Sequence, residues 1–127
     1  MTAVQPDFIQ MYLEWLKKDL SIQSLENGWS EITTSFLDVD NDFIQIYVRE
    51  NSDGTVSLTD GGETIQALKM SGCDVTSPAR STGIDNTLKR FGIKRDGTEL
   101  TAIVQIDKFA EKMNDLIQAI LAIGMHQ

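Results

Sequence analysis

Histidine, cysteine and proline are nearly missing from these 127 residues, which hold one His, one Cys and two Pro. The lone Cys73 excludes an intramolecular disulfide and every multi-cysteine zinc pattern, as suits a reducing cytosol. It also has no histidine to activate it, so a Cys-His nucleophile is not expected. His126, second from the C-terminal end, lacks the fixed geometry a general base needs. Long apolar runs are absent: the one at Ile120–Ile123 is far too short to span a bilayer. The N-terminal stretch shows no basic region followed by an apolar run and a cleavage site. A cytoplasmic protein with no membrane partner is therefore expected.

Basic residues are scarce as well. Eleven Lys and Arg face nineteen Asp and Glu, a net charge of −8, which argues against a general nucleic-acid binder. The charge is unevenly spread. Residues 1–68 hold three bases and twelve acids, whereas residues 69–95 hold six bases (Lys69, Arg80, Lys89, Arg90, Lys94, Arg95) and two acids. Such asymmetry can mark an anion-facing patch or a solvated surface.

What is present is ordinary globular patterning, with 41% apolar and 24% charged residues. Residues 4–20 read as an amphipathic helix with Pro6 in its first turn and Asp7 at the positive end of the dipole. Val4, Phe8, Met11 and Trp15 share one face and Ile9, Leu13, Leu16 and Leu20 the adjacent one. That arc is wider than docking on a sheet requires. The helix is either deeply buried or meets a partner.

Ser21–Glu26 is ambiguous between strand and loop before the Asn27-Gly28 turn. Trp29–Leu37 alternates, with Ile32, Thr34 and Phe36 on one face; Phe43–Arg49 and Thr55–Thr59 alternate likewise, giving a three-stranded meander. Asp60, with Glu63 three residues on, reads as a capping-box start for a helix carrying Ile65, Leu68 and Met70 and stopped by Gly72. Ser77-Pro78 starts the next helix, with Ile84, Leu88 and Phe91 inward and an Asp85–Lys89 pair, ending at Gly92. A hairpin follows, Ile93–Arg95 and Glu99–Ile106. Asp107 is placed to cap a last helix with Phe109, Met113, Leu116, Ile120 and Ile123 in its stripe. The expected architecture is one α+β domain over residues 1–127. An antiparallel sheet of about five strands is packed by N-terminal, middle and C-terminal helices in the order αβββααββα.

No motif in the chain carries chemistry outright. Asp38-Val39-Asp40-Asn41-Asp42 opens like a calcium loop, but Phe43 stands where its glycine belongs and Arg49 where its bidentate Glu belongs. Gly61-Gly62 at a helix start could offer amides to a phosphate, but Asp60 competes for the same amides as a cap. A carboxylate-metal nuclease lacks its Glu-x-Lys. Trp29, Tyr47 and Tyr12 are candidate recognition aromatics. No cofactor or metal is expected.

The run Val56–Gly72 (VSLTDGGETIQALKMSG), then SPAR and LKRFGI, resembles DUF1828, a family of small bacterial and phage proteins filed as a domain of unknown function. The resemblance covers residues from about 43 to 106. It implies a bacterial or phage cytosolic protein from a mobile or defence-related neighbourhood, and no substrate. The matching positions are Asp60, Gly61, Gly62, Thr64, Gly72, Arg80, Phe91 and Gly92; Asp60 and Arg80 are the polar ones not obviously serving a turn. The candidate binding set is Asp60, Gly61, Gly62, Thr64, Arg80, Lys89 and Arg90.

These features fit a non-catalytic interaction module, an acidic protein-binding, inhibitory or regulatory domain with a protein partner. A homodimer through the terminal helices is a further option. The alternative is a nucleic-acid-associated or degenerate nuclease-like domain using segment 69–95, which requires its basic side chains to converge on one face.

Overall fold

The computed structural model describes residues 4–125, so His126 lies outside the described residues. In chain order they form α1 (Phe8–Lys17), β1 (Ser21–Ser24), β2 (Trp29–Leu37), β3 (Phe43–Glu50), β4 (Thr55–Thr59), α2 (Glu63–Met70) and α3 (Pro78–Phe91). Then come β5 (Lys94–Asp96), β6 (Glu99–Gln105) and α4 (Phe109–Gly124). The sheet is antiparallel throughout, in the order β1-β2-β3-β4-β6-β5. The α+β class stands, with six strands rather than five. The extra one is β1. Its four residues hold one apolar side chain, Ile22, which stays 67% exposed, so no burial pattern announced it.

Alternation along β3, β4 and β6 turns Ile44, Ile46, Val56, Leu58, Leu100 and Ala102 to one face. There they meet Ile65 and Leu68 of α2, Ile84 and Leu88 of α3, and Leu116, Ile120 and Ile123 of α4 in a single buried cluster. Gly72 and Gly92 close α2 and α3 at φ +88° and +65°. Past each glycine the chain turns back, and the N–H groups of Cys73 and Ile93 donate to the carbonyls of Leu68 and Leu88, both at 3.0 Å.

Strand β2 departs from strict alternation. Thr33 stands opposite Gln45 and Leu37 opposite Phe43, so Thr34, Ser35 and Phe36 together face Ile44. This bulge turns Thr34 inward to 1% exposure and leaves Phe36 at the surface, not beside it. The Thr34 hydroxyl donates to the Ile44 carbonyl at 2.8 Å and accepts from the Phe36 N–H at 3.2 Å, replacing the ladder bonds the bulge removes.

Several local expectations are corrected. Asp7 is the residue that caps α1, accepting from the Gln10 N–H at 3.0 Å, so Pro6 stands before the cap and not in the first turn. Asp107 caps nothing, because Ile106–Lys108 is a tight 3₁₀ turn leading into α4, and Ile106 is 61% exposed. Met70 points to solvent. Asp85 pairs with Arg95 at 3.8 Å, the hairpin having brought a second cation to it, and no bond to Lys89 forms among the described residues.

Replacing Thr34 by Val leaves the Ile44 carbonyl and the Phe36 N–H without their partner. Urea unfolding should show a loss of about 2 kcal/mol. An unchanged midpoint would mean the bulge does not depend on that hydroxyl.

Candidate functional site

Where β4 ends, Asp60 is 2% exposed, a position that a carboxylate holds only when its oxygens are bonded. One oxygen accepts from the Gly62 N–H at 2.8 Å and the Leu100 N–H at 3.0 Å; the other accepts from the Thr64 N–H at 3.1 Å. The Asp60 N–H donates in turn to the Leu100 carbonyl at 3.2 Å. One side chain thus ties the end of β4, the first turn of α2 and the start of β6.

The two glycines make this possible. Gly61 and Gly62 have φ +72° and +82°. A Cβ on Gly61 would lie 2.9 Å from Tyr47 Cε2, and one on Gly62 would lie 3.1 Å from Thr98 Oγ1. The Gly61 N–H donates to Thr59 Oγ1 at 3.0 Å. The amides of Gly61, Gly62 and Thr64 that an anion would need are therefore engaged within the fold. Glu63 does not close a capping box; its Oε1 instead accepts a long 3.5 Å bond from the Tyr47 hydroxyl.

Strand register gathers acid around this corner. Tyr47 stands between Glu31 on β2 and Thr59 on β4, with Glu63 above it. Burial, then the charges of Glu63 and Glu31, push the Tyr47 hydroxyl up to about 12. The Glu63 carboxyl is raised by burial first, then by Asp60, Glu31 and Asp38, partly offset by the Tyr47 hydroxyl. The field at Gly61-Gly62 is thus negative and disfavours phosphate. The adjoining cavity, lined by Asp38, Phe43, Asp60, Glu63, Thr64 and Ile120 among others, measures about 70 Å³. Pockets that bury small-molecule ligands run to roughly 300–1,000 Å³.

In the acidic turn, Asp38 accepts from the N–H groups of Asp40 and Asp42 at 2.9 and 3.0 Å. Among the described residues, no three His, Cys, Asp or Glu side chains are grouped to hold a metal ion.

The basic residues separate. Arg80 is exposed in the first turn of α3, whereas Lys89 and Arg90 are exposed in its last turn. Nine residues put Lys89 about 13 Å along the axis and half a turn around from Arg80. Lys94 is paired in register with Thr101 on one sheet face, and Arg95, on the other, reaches Asp85. Arg90 lies 5.4 Å over the Phe91 ring. Arg80 adds a small share to the lowering of the Asp74 carboxyl, which comes chiefly from the hydroxyl and N–H of Thr76. Asp60 and Arg80, joined by the family resemblance, serve different neighbours. Of the aromatics, Trp29 lies under Arg49 at 4.6 Å, and Tyr12 stacks on Trp15 at 6.4 Å between centroids.

The terminal helices differ sharply. α4 buries Leu116, Ile117, Ala119, Ile120 and Ile123, so its wide arc is filled by the core. α1 buries nothing. Phe8, Ile9, Met11, Tyr12, Leu13 and Trp15 are 43–71% exposed. The helix is held at its C-terminal end, where the Ser35 hydroxyl donates to the carbonyl of half-buried Leu16 at 2.7 Å.

Asp60→Ala leaves three amides without an acceptor and should cost at least about 3 kcal/mol in urea unfolding; a neutral result would free Asp60 for another role. Gly61→Ala should lose about 1–2 kcal/mol from its φ alone, with the Tyr47 contact added. The raised Glu63 carboxyl means folding is favoured when it is protonated, and that contribution is lost as pH rises through the folded value. Glu63→Gln should therefore unfold at higher temperature than the parent at pH 7, with the gain shrinking as pH falls through the raised folded value and gone by the ordinary value of 4.5. A gain that grew on acidification would reverse the assignment.

No curated protein and no solved structure matches the chain. The family model for Domain of unknown function DUF1828 matches residues 34–123, from the bulge of β2 to the last turn of α4, and leaves α1 and β1 outside the matched span. With well over half its length covered, including the Asp60-Gly61-Gly62 corner, the chain belongs to the DUF1828 family.

Proposed function

We propose that this protein is a non-catalytic interaction module, a cytoplasmic regulatory or inhibitory domain of bacterial or phage origin, which binds a protein partner through α1. The observation that carries the reading is the exposure of that helix. At roughly 200 Å² per aromatic side chain, Phe8, Tyr12 and Trp15 leave about 350 Å² of ring surface in water. Ile9, Met11 and Leu13 bring the patch to about 650 Å², at the upper end of what monomers expose and typical of interaction sites. A ten-residue helix is also marginal by itself in water, where about 12–15 residues are needed, and α1 has few contacts of its own to compensate. A covering surface supplies what is missing.

The acidic character of residues 21–68, with nine acids and one base, adds selectivity, since it repels acidic partners and draws basic ones at low salt. A defence-related setting is part of the same proposal and rests on the family resemblance. The nucleic-acid alternative has less support, since Arg80 stands half a turn around α3 from Lys89, and Lys94 and Arg95 lie on opposite faces of β5.

A photo-crosslinking residue at position 8 in place of Phe8 should form a polypeptide adduct in lysate, nuclease-treated or not. The same group in place of exposed Asn86 on α3 should not. Equal labelling at both sites, or none at position 8, would remove α1 as the docking surface. The double variant Phe8→Ser, Trp15→Ser should lose the interaction while its unfolding free energy shifts by no more than about 0.5 kcal/mol per site.

A further inference from the structure

We propose that the helix-free face of the sheet is a second docking surface, where a recess between Trp29 and Tyr47 takes an arginine side chain from a basic segment of a protein partner. The recess lies on the side of the sheet away from α1, so it stands or falls apart from the reading of that helix.

Alternation sends half of each strand's side chains away from the core. α2, α3 and α4 pack on the core side, and α1 is held there too, with Leu16 beside Met113 and Ile117 of α4. The other side stays open among the described residues: Ile103, in mid-strand on β6, is 67% exposed. On this open face the register sets Trp29 opposite Arg49, and Glu31 opposite Tyr47. Trp29 and Tyr47 are therefore diagonal neighbours, within reach of a shared space between their rings. The chain leaving β1 closes that space, so that Ser24, Leu25, Glu26, Trp29 and Tyr47 line the recess.

Charge selects what can enter. Glu26 is part of the lining, Glu31 stands beside Tyr47, and Glu63 accepts from the Tyr47 hydroxyl at 3.5 Å. The ion pairs found among the described residues, Asp85–Arg95 and Lys112–Asp115, involve none of these three acids. The nearby cation is Arg49, whose guanidinium lies 4.6 Å over the Trp29 ring and donates to Asn51 at 3.4 Å. Three carboxylates are thus set against one guanidinium. Burial, then the charges of Asp60, Glu31 and Asp38, already raise the Glu63 carboxyl, and a cation beside it relieves that repulsion.

Arg49 on Trp29 also shows, within this face, how a guanidinium and a ring meet. Arginine suits the recess better than lysine. Its plane stacks on an aromatic ring while its fork of N–H groups reaches carboxylates at the edge. An acidic or phosphorylated segment is repelled by the same groups.

The test titrates the full chain with a fluorescent octa-arginine peptide in about 0.15 M salt, where charges more than about 8 Å away are largely screened. Glu31→Gln combined with Glu63→Gln should weaken binding about tenfold. Asp107→Asn combined with Glu111→Gln removes the same charge from exposed positions around the start of α4, and should weaken it by less than about twofold. Glu63→Gln alone should weaken binding while raising the unfolding temperature, so the loss is not a loss of fold. Octa-lysine should bind several-fold more weakly than octa-arginine.

Equal weakening by the two double variants would mean that the peptide follows net charge alone, and would overturn the recess. Failure of the parent to bind octa-arginine would do the same. Equal affinity for octa-lysine overturns the assignment to arginine. A parent chain that sediments as a dimer, and that Tyr47→Ser turns into a monomer, puts a second copy on this face in place of the basic segment. Absence of any adduct at position 8 removes α1 as a docking surface and leaves the recess standing.

Discussion

The fold depends on one buried carboxylate. Asp60 sits where β4 must hand the chain to α2 within a few residues, and its oxygens take N–H groups from Gly62, Thr64 and Leu100. Removing a charge from water is expensive, and three charge-assisted bonds offset that cost only if the amides are already aimed inward. Positive φ at Gly61 and Gly62 provides the aim, and the Tyr47 ring packed against Gly61 leaves no room for a side chain there. Glycine pair, aspartate and tyrosine form one unit, so a change at any of them is felt at the strand–helix corner and at β6.

This arrangement also decides where function can reside. The glycine corner resembles an anion site in sequence, but its amides are engaged and its neighbours Glu31, Glu63 and Asp60 are acidic. Burial, then the charges of Glu63 and Glu31, raise the Tyr47 hydroxyl to about 12, and those two carboxylates would also raise the free energy of a bound phosphate. With the corner committed to structure and the adjoining cavity too small for a metabolite, α1 is a feature that the described fold leaves unexplained. It presents large apolar side chains to water beside a cleft with mostly apolar walls.

Much of this was legible in the sequence wherever a local rule operates. Gly72 and Gly92 as helix stops, Ser77-Pro78 as a start and the period-two inward residues of β3 and β4 each follow from backbone chemistry within a few residues. The misses share a different cause. β1 exists because β2 offers it a ladder, not because Ser21–Ser24 has a pattern. Thr34 turns inward because of a bulge set by pairing with Ile44. Asp85 chose Arg95 over Lys89 because the hairpin brought a second cation near. In each case the deciding neighbour is distant in sequence. The same holds at the site. That Asp60 would hold amides at the start of α2 was readable from its position, although Gly62 is the N-cap and no capping box forms, whereas its bond to Leu100 and the Tyr47–Glu63–Glu31 grouping needed the strand register. The wide apolar arc of α1 was visible in the sequence, with burial and docking both open; its exposure removes the burial reading, whereas the core fills the arc of α4.

Hydrogen exchange resolved along the chain in dilute protein tests the central claim most directly: that the Asp60 corner is built in and α1 awaits a partner. In dilute protein the amides of Gly62, Thr64 and Leu100 should be among the slowest to exchange, and those of α1 among the fastest. Protection of α1 already in dilute protein, or a corner that exchanges as fast as α1, would contradict it.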